Sequence, residues 1–295
     1  MATRATTTIK QAARPFFAST SRKSPQHALY YDKSVVVLQK PAGIISQKNG
    51  TNTTTNGSLE HIFAETTKAL GLSGEFFPVH RLDKPTTGAL LVARTSASAR
   101  ELSRQFTQNL VGKTYLALVH HEKRINPSNP RSGEIRTGWH EDDGRVSILP
   151  LDEDVKEAVT GWEILGTSKK YPVSLLRFTI QTGRKHQIRL HASTVLNAPI
   201  LGDRLFTPES HPALYLPIPD NRMFLHASQI TFQRFTPKRQ KVEVCAPLPG
   251  DFVQLAENIG ISLDPTMISG GLFINGVQDD THALTQLGGV WLGPQ

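Results

Sequence analysis

Arg81 and Asp83 stand two residues apart in "VHRLDKPTTGALLVA", residues 79 to 93. In an extended segment, residues at that spacing project to one side, so both can enter one cleft while Leu82 anchors the opposite face. A carboxylate that acts as a nucleophile has to stay ionised, and a nearby cation favours its charged form. A capping or turn aspartate before Pro-Thr-Thr-Gly would have the same spacing, so this stretch alone leaves both roles open. Arg184, Lys185, His186, Arg189 and His191 form a second concentration of chemistry, within eight residues that follow Thr182-Gly183. A helix entered from that turn can hold a phosphate or an acid at its N-terminus. The plainer alternative is a solvated basic face. Ile188, Leu190, Ala192 and Val195 nevertheless require part of this segment to be buried, and buried cations call for an acidic partner. Tyr115, in the alternating stretch "KTYLALV", can stack on a base or move a proton, or it can simply pack as an amphipathic strand residue.

Other chemistries lack their residues. His186 and His191 are five apart, not the three or four that put two imidazoles on one helical face, and Cys245 is the only cysteine. No GxxxxGK[ST], GxGxxG or GxSxG string occurs, so phosphate-loop, dinucleotide and nucleophile-elbow chemistry have no anchor. No metal and no cofactor is expected. Apolar runs such as Ala89 to Ala93 are too short to span a bilayer, so no membrane partner is expected either.

The net charge of +8 invites a nucleic-acid reading, but Arg4, Lys10, Arg14, Arg22 and Lys23 supply +5 within residues 1–26, which contain no acid. The remaining body is only mildly basic, and any RNA contact must come from placed residues. On a helical wheel Ala2, Ala5, Ile9, Ala12, Ala13 and Phe16 share one sector of roughly 100°, opposite Arg4, Lys10 and Arg14. That amphipathic, acid-free pattern predicts a mitochondrial transit segment over residues 1–26, with a solvated tail as the alternative.

These residues need elements to position them. "SVVVLQK" reads as a strand ending at Pro-Ala-Gly, residues 48–57 as a polar loop, and Ser58 as the cap of a helix reaching about Leu70. "ALLVA" reads as a strand, Ser96 to about Asn109 as a helix with Ala99, Leu102, Phe106 and Leu110 on one stripe, and "KTYLALVHH" as a strand. Hairpins over 124–150, two strands, the helix "RKHQIRLHASTVLN" and two final strands, "FLHASQITFQ" and "KVEVCAP", follow. The economical reading is one α+β domain over 27–258, followed by an unassigned and poorly ordered tail over 259–295.

Taken together, "KPAGI" (40 to 44), "HRLDKPTTGALLVA" (80 to 93), "KTYLALV" (113 to 119), "TGRKHQIRLHA" (182 to 192), "PILGDRLF" (199 to 206) and "FLHASQITF" (224 to 232) resemble the RluA-type RNA pseudouridine synthases. In type the chain resembles fungal mitochondrial members acting on ribosomal RNA. The resemblance implies a single catalytic domain with a mixed, mainly antiparallel sheet, flanking helices and an active-site cleft. It would act on uridine in RNA without metal or cofactor, as a monomer. It implies that Asp83 is the catalytic aspartate, Tyr115 the base-stacking and proton-handling tyrosine, and Arg189 the arginine paired with the catalytic acid. Arg81 would contact RNA near the extruded nucleotide, with Lys113, Arg184, Lys185 and His186 holding the strand. Leu225 and His226 would form pocket wall together with Ala227. Thr87, Asn197, Phe206 and Thr207 depart from the common pattern at positions outside the proposed catalytic set. The stretch before Ser34 is expected to be too short for the accessory RNA-binding domain that the resemblance would allow. The expected substrate is mitochondrial large-subunit ribosomal RNA, with transfer RNA, a non-catalytic ribosome-assembly role, and an acid-base hydrolase using Asp83 with Asp203 as alternatives.

Overall fold

Val35, Val36 and Val37 place three β-branched side chains in succession, and all three are buried, as expected for a strand covered on both faces. The computed structural model describes residues 27–46, 58–122 and 130–293, apart from 213, 215, 217, 236, 237 and 279. The transit segment and the 48–57 loop expected from the sequence lie outside the described residues. The first half comprises β1 (Ala28–Tyr31), β2 (Val35–Lys40), α1 (Leu59–Ala69), β3 (Phe77–Pro78), β4 (Thr87–Ala93), α2 (Ser96–Thr107), β5 (Gly112–His120), β6 (Ser132–Asp142) and β7 (Arg145–Leu149). Next come β8 (Lys156–Thr167), β9 (Val173–Ile180) and α3 (Gln187–Leu190), which runs into a π-helical turn at His191–Val195. β10 (Leu225–Arg234), β11 (Gln240–Cys245), α4 (Gly250–Asn258), α5 (Pro265–Ser269), β12 (Gly271–Ile274), β13 (Val277–Gln278), α6 (Thr281–Leu287) and β14 (Val290–Trp291) complete the chain.

The strands form one sheet in the order β14-β1-β2-β4-β10-β5-β9-β8-β6-β7, with β11, β12 and β13 continuing from β10, and β3 pairing with β4. Only β4 with β10 is parallel among the described pairings. This is the mixed, mainly antiparallel sheet with flanking helices that the resemblance implied. At the parallel junction Gly88 has φ +111°, and a Cβ there would lie 2.2 Å from the carbonyl oxygen of Ala227. The Thr-Thr-Gly turn therefore needs glycine for both backbone conformation and close approach.

Alternation along the strands sorts side chains to two faces. Leu90 and Val92 join the core that also holds Tyr115, Ala117, Leu225 and Ile188, whereas Ala89, Leu91 and Ala93 pack with Leu102 of α2. Each large apolar side chain so buried contributes about 1.5–3 kcal/mol. Tyr115 thus shares its face with α3, which sets up the cleft.

The disordered tail expected beyond residue 258 is not what is found. β12 pairs with β11 through Val242 and Ile274, and β14 pairs with β1 through Tyr30 and Trp291. Ala283 and Leu287 of α6 join the core on the α2 side. Asp264 and Asp280 cap α5 and α6 through the N–H groups of Thr266 and Ala283. These elements are two to seven residues long, too short to display a hydrophobic period, so the segment reads as patternless although it is folded.

Candidate active site

The Arg81–Asp83 segment is held from behind by the loop that follows β2. Ser46 Oγ donates to the Leu82 carbonyl at 2.9 Å and accepts the Leu82 N–H at 3.3 Å, straddling the one buried residue between Arg81 and Asp83. Lys40 is 1% exposed, and its ammonium donates to the carbonyls of Pro41 (3.0 Å), Ile44 (2.9 Å) and Lys84 (3.2 Å). Burial pushes Lys40 down to about 7, against the opposing charge of Asp83. One lysine thereby ties "KPAGI" to "HRLDK", a link between motifs that the sequence alone did not assign. The His80 ring, stacked on Phe106, accepts the Leu91 N–H at 2.8 Å, and burial, with a smaller push from Lys113, takes it down to about 3.

In front lies a cavity of about 500 Å³ whose lining includes Arg81, Asp83, Lys113, Tyr115, His186 and Arg189. These residues come from three separate stretches of chain. The carboxylate of Asp83 is 22% exposed and receives Arg189 Nη1 at 3.4 Å. Arg189 does not belong chiefly to Asp83, as the resemblance implied. Its Nε and Nη2 make a fork to the two oxygens of Asp203, each at 2.7 Å, and Asp203 is buried at 1% side-chain exposure. The physical reason is geometric: two parallel donors fit one carboxylate, leaving the third nitrogen for a second. Burial works against the arginine's charge, but the hydrogen bonds and charge of Asp203, followed by those of Asp83, outweigh it and raise Arg189 further. Asp203 also accepts the N–H groups of Leu205 and Phe206. With both oxygens engaged it cannot serve as the second catalytic acid of a hydrolase.

Tyr115 is 8% exposed and borders this cavity. Burial, and then the charge of Asp83, push its phenol upward, so the resting group carries its proton. Lys113 borders the cavity and donates to the Gln181 carbonyl at 3.3 Å; burial takes it down to about 8.

The segment 184–186 is not the helix N-terminus expected, because the helix starts at Gln187 and His186 adopts a left-handed φ of +58°. That backbone brings His186 Nε2 to 3.9 Å from Asp83 Oδ1. Burial lowers this imidazole, and the charge of Asp83 opposes the shift. Arg184 Nε donates to the Glu157 carbonyl at 2.9 Å. Lys185 Nζ donates to the Gly144 carbonyl at 2.8 Å, with Glu141 at 3.6 Å. Both therefore brace neighbouring strands as well as lining the cleft.

Leu225 lines the cavity, but His226 does not. It is fully buried, with Nδ1 2.8 Å from Thr87 Oγ1 and Nε2 3.2 Å from the Ala246 carbonyl. The carbonyl can only accept, so Nε2 carries the proton and Nδ1 accepts from Thr87. Burial takes His226 down to about 4, consistent with a neutral ring. Strand alternation turns Leu225 and Ala227 to the cleft face and His226 away from it. Among the described residues no group of three or more His, Cys, Asp or Glu is arranged to hold a metal ion, and none is long and apolar enough as a helix to cross a membrane.

A model of the RNA pseudouridylate synthase family matches residues 34–194. An uncharacterised RNA pseudouridine synthase of Zymomonas mobilis is 33% identical over 239 residues, covering 78% of this chain and 97% of that protein. Ribosomal large subunit pseudouridine synthase C of Rickettsia conorii is 32% identical over 248 residues, covering 81% of this chain and 76% of the relative. Among solved structures, human RNA pseudouridylate synthase domain containing 4 has a TM-score of 0.62 at 24% identity, over 80% of this chain and 94% of that one, a likeness of fold.

Proposed function

The chain belongs to the RNA pseudouridylate synthase family, and from that premise we propose that Asp83 is its reactive carboxylate and mitochondrial large-subunit ribosomal RNA its substrate. As an RNA pseudouridine synthase it is an isomerase. Converting uridine to its C-glycoside breaks N1–C1′, turns the freed uracil and joins C5 to C1′, while the C5 proton is lost and N1 gains one. The base cannot turn while stacked, so it must be flipped out, at a cost of a few kcal/mol. A cavity of about 500 Å³ bordered by Asp83 and Tyr115 has room for it.

The observation that carries the assignment is the convergence of Asp83, Tyr115 and Arg189, far apart in sequence, on one cavity. Asp83 acts on the sugar, by attack at C1′ or by taking a sugar proton. Arg189 donates to it through Nη1. Tyr115 stacks on the uracil and assists loss of the C5 proton. Arg81 contacts the RNA beside the flipped nucleotide. The organelle is supported by the acid-free, amphipathic residues 1–26, and the ribosomal substrate by the name of the Rickettsia relative.

The test is to map pseudouridine in organellar RNA from cells with the protein, without it, and with Asp83→Asn. One ribosomal mark lost in both deficient lines is the expected result. Loss of a transfer RNA mark instead would overturn the substrate, and full restoration by Asp83→Asn would overturn the catalytic assignment. Unchanged pseudouridine in both RNA classes would favour a binding factor.

A further inference from the structure

The β6–β7 hairpin and the start of β8 enclose a second cavity, of about 440 Å³, that the reaction just described does not use. Arg81, Gly183, Arg184 and Lys185 line both cavities, so the two meet along the loop that leads into α3. The outer wall is attached at two points. Thr137 Oγ1 of β6 lies 2.9 Å from His191 Nε2, and the Gly144 carbonyl at the hairpin tip accepts Lys185 Nζ. Buried Trp139 backs this cavity, exposed His140 and Leu149 line it, and Glu141 and Asp154 bring carboxylates to its rim.

We propose that this second cavity receives the unpaired nucleotide next to the target uridine, making the hairpin a reader of sequence context. The proposal rests on the reading that the first cavity takes the uridine itself. An RNA strand is continuous, so a base flipped into the first cavity draws its neighbour to the shared wall, where Arg81 and Arg184 can meet the intervening phosphate. The two cavities are close in volume, and what accommodates one base accommodates another. An imidazole and a leucine side chain give the neighbour a surface on which to lie. The carboxylates argue against a site for phosphate alone, since they would repel it. They only accept hydrogen bonds, which favours a base edge bearing amino hydrogens over uracil.

Binding separates this subsite from catalysis. Fluorescence anisotropy with Asp83→Asn protein would compare short single-stranded RNAs with a central uridine and either an intact or an abasic neighbour on each side. An abasic neighbour on one side should weaken binding roughly five- to a hundred-fold, the scale of one lost base contact. Adding His140→Ala and Leu149→Ser, both at exposed positions, should erase that difference. Asp154→Ala should flatten the preference for an amino-bearing neighbour over uracil. Equal binding of intact and abasic RNAs on both sides overturns the proposal. If the abasic difference holds while wild-type protein makes no pseudouridine in any RNA, the reaction reading falls and the subsite stands.

Discussion

Asp203 and Asp83 meet the same arginine, at 2.7 and 3.4 Å, from surroundings that differ in every other respect. Asp203 is sealed, with a two-pronged guanidinium contact and two backbone N–H donors. Asp83 has one long contact to that guanidinium and opens onto the cavity. Identical side chains thus take different places through environment: the carboxylate with both oxygens occupied holds a structure together, while the incompletely paired one opens onto the cavity, as the reactive role proposed for Asp83 requires. Burying both would have left no carboxylate facing the cavity, and exposing both would have left Arg189 unplaced.

The contrast can be broken deliberately. Asp83→Asn should reduce pseudouridine formation by about 10²–10⁴-fold, with thermal unfolding nearly unchanged because the side chain's contacts to Arg189 and His186 are both long. A melting temperature that fell sharply would mean that Asp83 is structural as well. Asp203→Ala should do the reverse in emphasis, destabilising the fold by about 3–5 kcal/mol because it strands a buried guanidinium. Chemical denaturation reads this directly, and a loss under about 1 kcal/mol would contradict the buried pairing.

Lys40→Met tests the support behind Asp83. The folded lysine sits near 7, below the ordinary value of 10.5, so between those two pH values the unfolded chain binds more protons and wild-type stability rises with pH. Stability curves for wild type and Lys40→Met should therefore diverge in favour of wild type from about pH 7 upward. Parallel curves would mean that Lys40 titrates normally. The smallest effect is expected from Lys185→Met at the hairpin latch, under about 1 kcal/mol since its partners are largely exposed, and reduced further by salt. A larger loss in urea unfolding would assign this contact a structural weight its geometry does not suggest.

What was legible in the sequence follows the same division. Asp83, Tyr115 and Arg189, which line one cavity, each lie in a string that carries the family resemblance, although each string alone leaves its residue's role open. The alternating and helical stretches that build β2, β4, β5 and α2 are long enough to show their periods. The Arg189–Asp203 fork joins a helix to a turn 14 residues away, and the sequence offers no register by which to choose between Asp83 and Asp203. Lys40 reads as part of a motif, but its three carbonyl partners exist only once two loops are brought together. "LHA" located the right strand yet not which of its alternating residues faces the cleft, which is why His226 was expected in a wall it stands behind. The layer from Gly271 to Trp291 escaped notice because its strands and helix are shorter than the patterns that reveal such elements.

The most direct test of the central claim follows hydrogen. RNA labelled with tritium at uridine C5 must release that label as C5 joins C1′, so release by purified protein reports the isomerisation itself. Wild type should release it and folded Asp83→Asn should not, whereas release by Asp83→Asn at the wild-type rate would contradict the assignment of Asp83 as the reactive carboxylate.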